Sequence, residues 1–255
     1  MDDARRFLRF IGPGALFGVE TAILLWVLRP DWLGAKLDDL RREEGLSFAL
    51  AGLLASGALG FLFSVVHHEL HWRSSKWSSV IDHSGVIRGL IQEGRMRVDV
   101  LDEDGHETVL SADLVTRSSA WKILSGIWFG SLDEPPVKAA DAKVSSLSDL
   151  AHSSGTTCVA SFFSLIFSLA VAANIGGFSL HIWPIVRFIC ACSIGVLLTC
   201  LFWWTYRRVG LLAQAVIEQV FLESLDRRDR AAGPMTLRVS ASAMLANPRR
   251  RPRPE

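Results

Sequence analysis

The chain has 255 residues; half are hydrophobic and about a fifth are charged, and its mean hydropathy is +0.30. That combination gathers the apolar residues into long runs and excludes an ordinary water-soluble domain. The charges nearly cancel, 27 basic against 26 acidic, which excludes the global field expected of a nucleic-acid-binding chain.

The first apolar run is Ile11 to Leu28. Arg5, Arg6 and Arg9 precede it, as in a secretory signal, but no small-x-small cleavage pattern comes before Arg29-Pro30-Asp31. It therefore reads as a membrane helix. Glu20 lies at its middle. A charge at that depth costs on the order of 3 kcal/mol, so Glu20 is expected to face the bundle interior or a water-filled path.

The second run, Leu46 to Val66, ends in His67-His68-Glu69-Leu70-His71. His67 and His71 are four apart and share a helix face, a spacing that two metal ligands use. The zincin order His-Glu-x-x-His is not met, because one residue rather than two separates Glu69 from His71. His67, His68 and His71 are thus weak metal candidates, and the main expectation for them is hydrogen bonding or pH response at a helix end.

Residues 67–156 form a polar insertion. Ser79 to Glu93 has helical spacing, with Val80, Ile81, Val86, Ile87, Leu90 and Ile91 as its apolar set. Arg95 to Leu101 alternates, Asp102-Glu103-Asp104-Gly105 is a turn signal, and Glu107 to Leu114 returns as a second strand. Helix followed by hairpin is the outline of a winged helix. Lys76 to Arg117 holds five basic and eight acidic residues, which argues against a duplex surface. Ala120 to Leu132 reads as an amphipathic helix ended by Pro135-Pro136, and Ser145 to Leu150 as a helix leading into the third run.

The third and fourth runs are Thr157 to Gly176 and Ile185 to Tyr206. Thr157, Ser161, Ser164 and Ser168 put a hydroxyl face on run three. Asn174 is expected to bond across helices, and Arg187 lies about a turn inside run four. Small residues recur at spacing four in every run: Gly14 and Gly18; Gly52, Ser56 and Gly60; Ala160, Ser164 and Ser168; Ala191, Gly195 and Thr199. Such stripes let helix backbones approach closely. The cysteines, Cys158, Cys190, Cys192 and Cys200, all lie in apolar runs and read as packing residues.

Run four continues as a helical extension over 207–228. Val209, Leu212, Val216 and Val220 form an apolar stripe there, taken as an oligomer contact. Residues 229–255, ending Arg-Arg-Arg-Pro-Arg-Pro-Glu, read as a disordered basic tail. The basic residues following run four and opening the insertion, against none between Gly177 and Pro184, put the termini and the insertion on the cytoplasmic side.

The expected fold is an all-α membrane bundle of four transmembrane helices, with a small cytoplasmic α+β insertion between the second and third and a long extension of the fourth. The units are an N-terminal hairpin over 1–66, the insertion over 67–156, a second hairpin over 157–206, the extension and the tail. In general plan the chain resembles bacterial membrane effectors that respond to phage infection, and small channels, with no motif matched residue by residue. The functional expectation is an oligomeric regulated pore or membrane-perturbing effector of the inner membrane. Glu20, Ser161, Ser164, Ser168, Asn174 and Arg187 would line its path, and a protein or small-molecule signal would act on the insertion. The alternative is a non-conducting anchor that recruits a soluble partner; a metal-dependent membrane enzyme ranks third. The sequence carries no phosphate-binding loop, nucleophile elbow or dinucleotide turn, so no cofactor and no catalytic residue is expected.

Overall fold

The computed structural model describes residues 7–43, 45–73, 80–101, 106–175 and 182–240. The turn at 102–105, the loop from 176 to 181 and the tail from 241 lie outside them.

After a short π-helical turn over Phe7–Ile11, helix α1 spans Gly12–Leu28. The apolar run ends at Arg29, whose φ of −142° breaks the helix. Helix α2, Pro30–Glu43, then fills the first loop, for which no element was expected. Proline suits a helix start, since its missing N–H would be unsatisfied there, and Asp31 in the first turn favours the positive helix end. Helix α3 spans Gly45–Arg73.

Helix α4, Ser84–Gln92, starts five residues later than expected; residues 80–83 are not helical. Gly94, at φ +70°, turns the chain into strand β1, Met96–Leu101, which pairs antiparallel with β2, Glu107–Val109. The second strand is shorter than its apolar pattern suggested, because a 3-10 turn over Ala112–Leu114 ends it. Helix α5, Arg117–Gly130, opens on a capping box between Thr116 and Ser119.

Pro135 does not merely end α5: it opens helix α6, Pro135–Ile175, ten residues before the expected start. Helix α7, Ile182–Ala232, is longer than the run-four extension suggested. At 1.5 Å per residue these helices are about 60 and 75 Å long, well beyond a hydrocarbon core of about 30 Å. Residues 229–240, expected to be disordered, complete α7 and then form strand β3, Met235–Ser240. Gly233, at φ +77°, makes the reversal. Met235, Leu237 and Val239 alternate inward, and β3 lies parallel to β1, giving the order β2-β1-β3.

The chain divides into two compact units, one of residues 1–80 and 146–210, the other of residues 81–145 and 211–255. Among the described residues four helices are long and apolar enough to cross a membrane, with candidate spans in Arg9–Leu28, Ala51–His71, Pro135–Ile175 and Pro184–Arg230.

In the first unit α1 and α3 touch backbone to backbone. A Cβ on Gly14 would fall inside the Ser56 carbonyl oxygen, and one on Gly60 inside that of Phe10. Gly18 and Gly52, on the same predicted stripes, have open space around them. Only part of each small-residue stripe is a contact. Ring contacts of Phe17 with Phe63 and Phe167, and of Phe63 with Phe163, link α1, α3 and α6, with centroids 5.2 to 6.0 Å apart.

The second unit has an apolar core of Ile87, Leu90, Met96, Val98, Val115, Ile123, Leu124, Trp128, Ile217, Phe221 and Leu225, among others. The buried face of α7 here is Ala213, Ile217, Phe221 and Leu225 at spacing four. Val216 and Val220, expected to face another copy, pack at its flank against their own chain's core, while Leu212 is half exposed and Val209 half-buried. Arg95 ties β1 to the end of α7. It donates to Asp229 at 3.1 Å and to Asp226, and these bonds raise its pKa.

Candidate functional site

The intramembrane polar groups fall on one line along α6. Thr157, Ser161, Ser164 and Ser168 are all buried, at spacings of three and four that keep them on one face. That face meets α1. The Ser161 hydroxyl lies 2.7 Å from both carboxylate oxygens of Glu20 and donates to them; Glu20 is only 4% exposed. One turn on, the hydroxyls of Thr21 and Ser164 are 3.0 Å apart. Ser168 Oγ is buried with no hydrogen-bond partner among the described residues.

Arg29 marks one end of this line. Its guanidinium donates to the Ala172 carbonyl at 3.1 and 3.3 Å. That carbonyl is in the last turn of α6, where helix geometry leaves acceptors without intrahelical donors and the helix dipole favours a cation.

The other end is a histidine–tyrosine cluster. His67 is buried, and its ring lies directly on the backbone of Gly155, where any side chain would collide with it. The His67 ring centroid is 5.1 Å from those of both His152 and Tyr206. His152 Nε2 is 2.9 Å from Ser64 Oγ, and His71 Nδ1 is 2.6 Å from the Tyr206 hydroxyl. Five helical positions, 64, 67, 71, 152 and 206, thus converge from α3, α6 and α7.

The expected site residues separate accordingly. Glu20, Ser161, Ser164 and Ser168 come together on the α1–α6 seam, and His67 and His71 sit in the cluster. His68 is exposed. Among the described residues Asn174 shows no bond across helices: it is exposed and donates to Ala170 O of its own helix at 2.9 Å, an i−4 contact open to an amide near a helix end. Arg187 is exposed and lines a cleft at the Arg29 end. His83 lies in the other unit, where its Nδ1 is 3.0 Å from Glu218 and its ring stacks on Trp121. Among the described residues no three His, Cys, Asp or Glu side chains are grouped to hold a metal ion.

Sequence reading passed over Thr21, Ser64, His152 and Tyr206. Thr21 was findable, being adjacent to Glu20 and seven positions from Gly14. His152 lies one turn before Thr156 on α6, whose hydroxyl donates to the His152 carbonyl at 2.9 Å, a relation that a longer helix assignment would have exposed. Nothing in the sequence signals that Tyr206 meets His71.

The arrangement defines a multi-pass class of helical chain, with four apolar helices and a hydrogen-bonded seam among them. Comparison with protein-family models, curated proteins and solved structures finds no match.

Proposed function

We propose that this chain is a regulated pore or membrane-perturbing effector whose intramembrane path follows the seam between α1 and α6. The observation that supports this reading is the Glu20 carboxyl, held at mid-span by Ser161 and continued by Thr157, Ser164 and Ser168 on the same face of α6. A carboxyl at that depth costs on the order of 3 kcal/mol, and hydroxyl pairs or glutamine would hold the helices together without that cost. In this reading the direct hydrogen bonds hold the seam shut. Opening requires Ser161 and Ser164 to leave Glu20 and Thr21 for water.

In this reading the small unit receives a protein or small-molecule signal, and a homo-oligomer assembles in the inner membrane with both termini cytoplasmic. The test compares Glu20→Gln with Glu20→Ala in proteoliposomes, by proton and potassium flux. Glutamine keeps shape and hydrogen bonding but removes the charge, so it is expected to assemble normally and change the flux. If both variants assemble and conduct as the parent does, the pore reading fails and a membrane-anchored scaffold, displaying the small unit to a soluble partner, takes its place.

A further inference from the structure

A cleft of about 210 Å³ opens at the Arg29 end of the first unit. Arg29, Asp31 and Trp32 line it from the α1–α2 corner, Ile175 from the end of α6, and Arg187 and Phe188 from α7. Among the described residues its charged lining is two guanidinium groups and one carboxylate, a net single positive charge. The rest of the lining is apolar, and the adjoining surface of α7 exposes Ile185 and Ile189, 41% and 56% accessible.

We propose that this cleft binds the headgroup of an anionic glycerophospholipid. A guanidinium presents paired N–H donors that match two phosphate oxygens, a fit that ammonium lacks. Arg29 already gives two donors to the Ala172 carbonyl, so it serves as the fixed wall. Arg187, exposed and one turn inside the α7 span, is the residue that closes on phosphate. Asp31 accepts from headgroup hydroxyls, and its negative charge leaves the lining one unit positive, suited to a phosphodiester without a compensating amine. Ile175 and Phe188 favour a lipid over free phosphate, because they supply walls for a glycerol backbone whose chains then lie along Ile185 and Ile189. Trp32 at the cleft edge fits the headgroup level, where indole rings concentrate. The inference does not depend on the pore reading, since its test reads lipid binding and not flux.

The test is native mass spectrometry of the full chain in detergent, titrated with phosphatidylglycerol, phosphatidylethanolamine and phosphatidylcholine. Phosphatidylglycerol is expected to bind about tenfold more tightly than either zwitterionic lipid, and Arg187→Gln to remove that preference, a change equivalent to about 1.4 kcal/mol. Arg208→Gln, another exposed arginine on α7, is expected to leave it intact, and thermal unfolding of Arg187→Gln should match the parent. Equal binding of the three lipids, tighter binding of a zwitterionic lipid, an equal loss in both arginine variants, or an unchanged Arg187→Gln would each overturn the proposal. Displacement of the lipid by millimolar inorganic phosphate would reassign the cleft to the free anion.

Discussion

The two units of this chain use opposite means to stay folded. The second unit buries Ile217, Phe221, Leu124 and Val98 and keeps most of its charges outside, Asp99 being a buried exception paired with Arg97, the arrangement that water enforces. The first unit does the reverse: Leu54 is 77% exposed and Leu197 68%, while Glu20, Ser161, Ser164 and His67 are inside. Lipid tails are as apolar as leucine, so burying leucine gains nothing there. Association relies instead on close backbone approach and interhelical hydrogen bonds. The same residue type therefore carries different weight in each unit. A buried phenylalanine dominates one, and a glycine that could be overlooked dominates the other.

The largest effect that would break this contrast concerns Gly60. Gly60→Ala places a methyl inside the Phe10 carbonyl, so α1 and α3 must separate. The expected cost is above about 4 kcal/mol, in the exceptional class for one substitution. Reversible unfolding in mixed detergent micelles measures it, and Gly18→Ala, in open space, is the matched control expected to be silent. A tolerated Gly60→Ala would mean the two helices do not cross there.

Next comes the apolar core of the second unit. Phe221→Ala removes one of its largest fully buried side chains and is expected to cost about 3–5 kcal/mol. Limited proteolysis of the full chain should then cut within 81–145 while the apolar helices stay protected. Uniform proteolysis of both units would sink the idea that they are held separately.

A smaller loss is expected from Glu218→Ala. It removes the carboxylate from buried His83 Nδ1 and also frees the Gln214 amide, which donates to Glu218 at 2.8 Å and to the Asp82 carbonyl. An orphaned buried polar group costs about 1–3 kcal/mol. Chemical denaturation followed by tryptophan fluorescence reads it, because Trp121 stacks on His83.

The smallest effect sharpens the comparison most. Ser164→Ala deletes the Thr21 partner in the first unit and is expected to cost only about 0.6 kcal/mol, the mean for interhelical hydrogen bonds in membranes. The double variant Thr21→Val with Ser164→Ala should cost no more than the two single changes summed. A loss of several kcal/mol would make the seam, rather than the glycine crossing, the main support of the bundle.

Composition and run length alone determined that four apolar helices are present and that a polar helix-and-hairpin segment separates the second from the third. Those features depend on local periodicity and on the length needed to cross a bilayer, and both are written in consecutive residues. The mid-span Glu20 and the α6 hydroxyl face were legible for the same reason. Tertiary structure decided the rest. It chose Gly14 and Gly60 over Gly18 and Gly52 as the contact, because a stripe does not fix where two helices cross. It turned the α7 face by one residue, toward Ile217 and Phe221, because the larger side chains fill the core. It made a strand of 235–240, whose alternation of Met235, Leu237 and Val239 is as regular as that of β1 but lies in a segment read as disordered tail until β1 offers it backbone partners. It also gathered His67, His71, His152 and Tyr206 from three helices, a meeting between residues as far as 139 positions apart that no local pattern encodes.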